Sequence, residues 1–131
     1  MDVEDMDELD MDELTPLHRS VVNKNYLRVK AFLEKGALVT TLDKQGDSPL
    51  HKAVQVGSPE IVKLLLQHKA PVNQKDGNGR SALHRCCTSK NPEMEILHTL
   101  ISHKADINMQ DYYGLSPLHI SVMNGQEQLI A

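Results

Sequence analysis

The sequence predicts an all-α repeat fold, a solenoid of stacked helical units, and three observations carry that expectation. A four-residue segment recurs as Thr15-Pro16-Leu17-His18, Ser48-Pro49-Leu50-His51, Ser81-Ala82-Leu83-His84 and Ser116-Pro117-Leu118-His119, with the histidines 33, 33 and 35 residues apart. Other columns hold the same register: Asp43, Asp76 and Asp111; Gly46, Gly79 and Gly114; Ala37, Ala70 and Ala105. Aromatic residues make up 3% of the 131-residue chain and Trp is absent, so the core must be built from Leu, Ile, Val and Ala. Self-similarity at this period is the mark of an array of small supersecondary units.

Each unit opens with an Asp-x-x-Gly turn, in which glycine permits a positive φ. Thr or Ser then stands where it can N-cap a helix, and Pro follows at the first helical position, where its missing N–H costs nothing. In the second unit a short apolar helix is expected from Leu50 to about Val56 and is broken by Gly57-Ser58-Pro59. A second helix is expected from near Glu60, carrying Ile61, Val62, Leu64, Leu65 and Leu66, and Ala70-Pro71-Val72-Asn73 is expected to leave it in extended form. A single unit cannot hide its apolar face, so neighbours must stack into one continuous core.

The pattern D-x-x-G-x-[ST]-P-L-H-x-A, then I-V-x-x-L-L, then A-x-[VI]-N, resembles the ankyrin repeat over nearly the whole chain. The resemblance implies helix–loop–helix–hairpin units in an L-shaped array and a protein-binding role. It divides the chain into an acidic, disordered tail over 1–13, repeats over 14–42, 43–75 and 76–110, and a partial fourth repeat over 111–131. The third repeat holds two extra residues within Thr88-Ser89-Lys90-Asn91-Pro92, which lengthens its inter-helix loop. The family places glycine just after the second helix. Gly36 obeys, whereas Lys69 and Lys104 depart from the pattern at a cost of roughly 1 kcal/mol each. Asp10 and Glu13 stand where the first unit's turn would have Asp and Gly, and the fourth unit stops at Ala131 inside its second helix. The sequence therefore reads as a fragment, a short isoform or a chain with a frayed end.

Several functional classes are disfavoured. No apolar run approaches the ~18 residues of a membrane span, and the acidic start is unlike a signal peptide or presequence. Cys86 and Cys87 are adjacent and have no other cysteine to pair with, which argues for the cytosol or nucleus. No Ser-His-Asp order, phosphate loop or dinucleotide fingerprint is present, so neither an enzyme nor a small-molecule substrate is expected. No cofactor or metal is expected either: the four repeat histidines lie about one helix spacing apart, too far to share an ion. The resemblance gives them instead a structural role, bonding turn and backbone groups between units. Nucleic acid is disfavoured by a net charge of −4. That charge hides an asymmetry: residues 1–13 carry eight acidic groups and no basic one, and residues 14–131 carry 14 basic and 10 acidic groups.

The resemblance points to hairpin tips and the open face of the first helices as the binding surface. The candidates are Arg19, Lys44, Gln45, Lys52, Gln55, Asn78, Arg80, Arg85, Tyr112, Tyr113 and Met123. Arg19, Lys52 and Arg85 share one column after the repeat histidine, so stacking is expected to line up cations along a groove. An acidic protein segment is the partner this predicts, anchored by Tyr112, Tyr113 and Met123. Asn108, with Leu100 eight residues before and Asp106 two before, is similar to the pattern at which ankyrin hairpins are asparaginyl-hydroxylated; Asn73 matches except for Pro71. The alternative for both is an asparagine that bonds the hairpin backbone. The expected function is a monomeric, non-catalytic interaction module: an adaptor, scaffold or inhibitor. The alternatives are a targeting fragment of a larger ubiquitin-ligase receptor, channel or kinase, and a transcriptional regulator resembling the IκB proteins.

Overall fold

The computed structural model describes residues 15–88 and 93–123. The acidic segment, most of the lengthened loop and the chain's last eight residues lie outside the described residues. Among the described residues seven helices follow one another: α1 (Pro16–Val22), α2 (Tyr26–Glu34), α3 (Pro49–Val56), α4 (Pro59–Gln67), α5 (Ala82–Thr88), α6 (Met94–Ser102) and α7 (Pro117–Met123). No strand occurs among the described residues. α1, α3, α5 and α7 stack in one row, α2, α4 and α6 in a second, and α1, α3 and α5 each pack on the second helix that follows.

Local chemistry explains where the helices begin. The hydroxyls of Thr15, Ser48, Ser81 and Ser116 accept the backbone N–H three residues on, at 3.1, 3.2, 3.4 and 3.3 Å. Each such cap stabilises its helix by about 1 kcal/mol. Pro16, Pro49 and Pro117 stand at the first helical position as expected, and Ala82 takes that place in α5.

The core repeats column by column. Leu17, Leu50 and Leu83 are buried in successive first helices, and Ser20, Ala53, Cys86 and Ser121 give a buried column of small residues that lets those helices approach. Val29, Val62 and Leu97, then Phe32, Leu65 and Leu100, do the same for the second helices. α3 and α5 start 33 residues apart but α4 and α6 start 35 apart, so the register changes between α5 and α6.

The segments after the second helices differ from expectation. Ala70-Pro71-Val72-Asn73 does not leave α4 extended: it folds into a turn in which Gln74 N–H donates to Pro71 O at 3.3 Å, and Met109 N–H donates likewise to Asp106 O at 3.3 Å. Buried Ala70 anchors the start of that turn against the core. The residues after the second helices take left-handed backbone, with φ of 91° at Gly36, 69° at Lys69 and 71° at Lys104. Lys24, between α1 and α2, is also left-handed at φ 56°, in the column that holds Gly57.

Lys69→Gly and Lys104→Gly are each expected to stabilise the fold by about 0.5–1 kcal/mol, the relief of left-handed strain less glycine's greater unfolded-state entropy. Urea denaturation reads this directly; a midpoint that stayed put or fell would show that the lysine backbones are unstrained.

Candidate partner-binding surface

Among the described residues the three Asp-led turns and the first helices build one face, and a buried imidazole ties each layer to the next. His18 Nε2 lies 2.8 Å from Asp47 O, His51 Nε2 2.9 Å from Arg80 O, and His84 Nε2 2.9 Å from Leu115 O. A carbonyl cannot donate, so Nε2 carries the proton and donates it. Nδ1 of His51 and His84 accepts the backbone N–H of Ser48 and Ser81, at 3.2 and 3.1 Å, which assigns the neutral tautomer. Burial is the main reason that His18 and His51 titrate below the usual histidine value. The structural expectation for these histidines therefore holds. His119 bonds only the Ser116 hydroxyl and N–H among the described residues, and it is exposed.

Each turn is closed by its aspartate. Asp43 Oδ1 accepts the N–H groups of Gln45 and Asp47, Asp76 Oδ1 those of Asn78 and Arg80, and Asp111 Oδ1 those of Tyr113 and Leu115, all at 2.8–3.0 Å. The turns are also tightly nested. A Cβ on Gly46 would meet Gly77 N at 2.8 Å, and a Cβ on Gly79 would meet the Tyr112 ring at 2.5 Å. Glycine is needed at both for close approach as well as for its positive φ.

The expected line of groove cations needs correction. Lys52 is buried and pairs with Asp47 at 3.2 Å and Asp43 at 3.4 Å, while Gln45 Oε1 accepts from its ammonium at 3.0 Å. Arg85 reaches Asp47 at 2.8 Å and Asp76 at 2.7 Å and donates to Gln55 Oε1 at 3.2 Å. Arg80 Nε donates to Asp111 Oδ2 at 2.9 Å. Three cations therefore meet four aspartates, and their charge is spent inside the molecule instead of being offered to an acidic partner. The physical reason is desolvation: a cation half-sunk between stacked helices needs a counter-charge. A signal was present in the sequence, because Asp43 and Asp76 stand nine residues before Lys52 and Arg85. Burial pushes the Asp47 and Asp76 carboxyls up. Hydrogen bonds and charge outweigh that and hold both below the usual carboxylate value: from Arg85 and Lys52 at Asp47, and from the Arg80 N–H and Arg85 at Asp76.

The other candidates are more open. Lys44 and Asn78 are exposed at the turn tips, and Arg19 is half-buried on α1. Tyr112, Tyr113 and Met123 are 67%, 74% and 70% exposed. Tyr112 lies against Gly79, with Lys75 Nζ 5.7 Å from its ring centroid, and its N–H donates to Asn78 O at 3.1 Å. The two asparagines differ. Asn73 Oδ1 accepts Asp106 N–H at 2.8 Å and its amide donates to Lys104 O at 3.4 Å, whereas the Asn108 side chain bonds no described residue. The backbone-bonding alternative thus describes Asn73. Burial raises the Cys86 thiol to about 12 and the Cys87 thiol to about 11, so both stay protonated and unreactive at neutral pH.

Two outcomes follow from these charges. Because folding lowers the titration points of His18 and His51 below 6.5, the unfolded chain takes up protons first. Their contribution to stability should be full above that value and decline as pH falls through it. NMR should find both rings still neutral where an exposed histidine is half-charged; rings titrating at the ordinary value would contradict the buried bonds. Arg85→Ala should cost about 2 kcal/mol in urea melts, less than a fully buried pair because the guanidinium is partly solvated. That cost should shrink as pH drops below 3.8, where protonation of Asp47 and Asp76 removes the charges left unpaired.

Two family models match the sequence: ankyrin repeats in three copies over residues 2–76, and ankyrin repeats in many copies over residues 90–131. None of the curated proteins compared with the chain matches it. Ankyrin repeats are in general protein–protein interaction modules and are typically non-catalytic. The two matches span most of the chain, and they agree with the stacked helix pairs and their imidazole ties: the chain belongs to the ankyrin-repeat family.

Proposed function

We propose that the chain works as an adaptor, scaffold or inhibitor that grips another protein through its turn tips and the open face of its first helices. The observation that carries this reading is the pair Tyr112 and Tyr113. Both are large, rigid and mostly exposed, yet they sit on backbone held by the Asp111 carboxylate and by Asn78 O. An aromatic anchor on a pre-ordered turn loses little entropy on binding, which is why tyrosine is frequent among the residues that dominate interfaces. Met123 adds adaptable apolar surface.

The neutralised ladder changes the partner that fits. With Lys52, Arg80 and Arg85 spent on aspartates, acidic character is not what the groove selects. A segment offering an apolar or aromatic side chain to the tyrosines, and backbone groups to Gln45, Gln55 and Asn78, suits it better. The cytosol or nucleus is the proposed setting, resting on two neighbouring thiols that are both unbridged.

For a partner obtained by cross-linking in cells, Tyr112→Ala with Tyr113→Ala should weaken binding at least about tenfold, near 1.4 kcal/mol, while leaving the melting curve close to that of the parent. Affinity changed by less than about twofold would move the site away from these tips. Charge reversal at Lys52 and Arg85 is unsuitable as a binding test, since it would set two new carboxylates beside Asp43, Asp47 and Asp76 and unfold the ladder.

A further inference from the structure

The basic charge left unpaired lies on a different surface from the groove. Lys35, His68 and His103 are the C-cap residues of α2, α4 and α6, and the position after each takes left-handed backbone at Gly36, Lys69 and Lys104. Because the three helices stack in order, these ends form a ridge with a step of about 10 Å per unit. Lys35, Lys69, His103 and Lys104 are exposed, and no described carboxylate lies within ion-pair distance of the three lysines. The acids nearest in sequence are Glu34 and Asp106, and Asp106 Oδ1 is occupied by the Asn108 N–H at 2.9 Å. Lys69 and Lys104 hold φ of 69° and 71°, where glycine would sit without strain. A cation at a helix C-terminus is favoured by the peptide dipoles, and Lys35, Lys69 and Lys104 stand at or just past the three helix ends.

From the ridge and the charge asymmetry of the chain, we propose that residues 1–13 of this same molecule dock along Lys35, Lys69 and Lys104. Charge complementarity selects this occupant: the segment carries eight acidic groups and no basic one, against a body of 14 basic and 10 acidic groups. Geometry allows it. The segment joins the fold just before Thr15, the N-cap of α1, and the three-residue link between α1 and α2 makes those helices antiparallel. The C-terminal end of α2 therefore returns to the level at which the segment enters. Thirteen residues extend to about 40 Å, twice the roughly 20 Å between the first and third helix ends. Docking of this kind makes the ridge selective: an acidic protein reaches it only by displacing the resident segment. The inference is independent of the tyrosine tips and survives if they prove inert.

The test uses the full chain, ¹⁵N-labelled, with a paramagnetic spin label on the thiol of Met6→Cys. Buried Cys86 and Cys87 leave that thiol as the reactive one. The amides of Lys35, Lys69 and Lys104 should lose intensity, and regain it in about 0.5 M salt, where screening acts within a few ångströms. The same experiment on Lys69→Gly with Lys104→Gly should show the broadening gone at all three positions. That pair removes the cations while relieving backbone strain, so its melting temperature should be no lower than the parent's and misfolding cannot mimic the result. Broadening centred on the turn tips, no broadening, or broadening that persists in the glycine pair would overturn the proposal. Broadening seen only when spin-labelled and ¹⁵N-labelled chains are mixed would overturn it in favour of contact between two copies.

Discussion

The interaction on which the rest depends is the hydrogen bond from each buried imidazole to the carbonyl that precedes the next unit's cap. His18, His51 and His84 each hold their own helix start through Nδ1 and the following layer through Nε2. One side chain thus satisfies a serine or threonine hydroxyl and a buried carbonyl at once, and a neutral ring does so without bringing charge into the core. Leucine in its place would break the tie at every junction and leave each carbonyl with only the N–H of its own turn's aspartate as donor. The bond also sets the layer spacing, which then sets where the aspartate turns meet.

Meeting turns bring the charges together. Because Asp43, Asp47 and Asp76 arrive from two successive turns, Lys52 and Arg85 can each bridge two carboxylates, and Arg85 spans from its own unit back to the one before. Such pairs gain little net stability over a well-packed apolar alternative, yet they penalise a slip of one layer against another. The ladder therefore makes the face rigid and specific in register, and it leaves recognition to the groups it does not consume.

Much of this was legible in the residues. The recurring Leu-His column and its caps specified the helix starts, and Lys69 and Lys104 declared the left-handed positions by standing in the column of Gly36. Lys24 was missed although its sequence column also holds Gly57 and Gly125, a signal left unused. The turn at Val72-Asn73 was missed because Pro71 suggests extended backbone, whereas tertiary anchoring of Ala70 and the bonds of Asn73 to the next unit decide the conformation. The binding face was half legible. Exposure of Tyr112 and Tyr113 follows from their place at a turn tip, but the fate of the cations does not follow from a column of like charges. It depends on which aspartate side chains the neighbouring layer presents, and that is a property of the stack.

The nesting of Gly46 against Gly77, with no space for a side chain between them, bears on how this surface can change over evolutionary time. Adjacent fingertips touch backbone to backbone, so a visiting molecule meets a seamless strip in place of separate prongs. Lys44, Gln45, Asn78, Tyr112 and Tyr113 can be exchanged like type in a printing frame while the frame itself stays locked. New specificities are reachable by altering the letters, and alteration of the spacers would break the line.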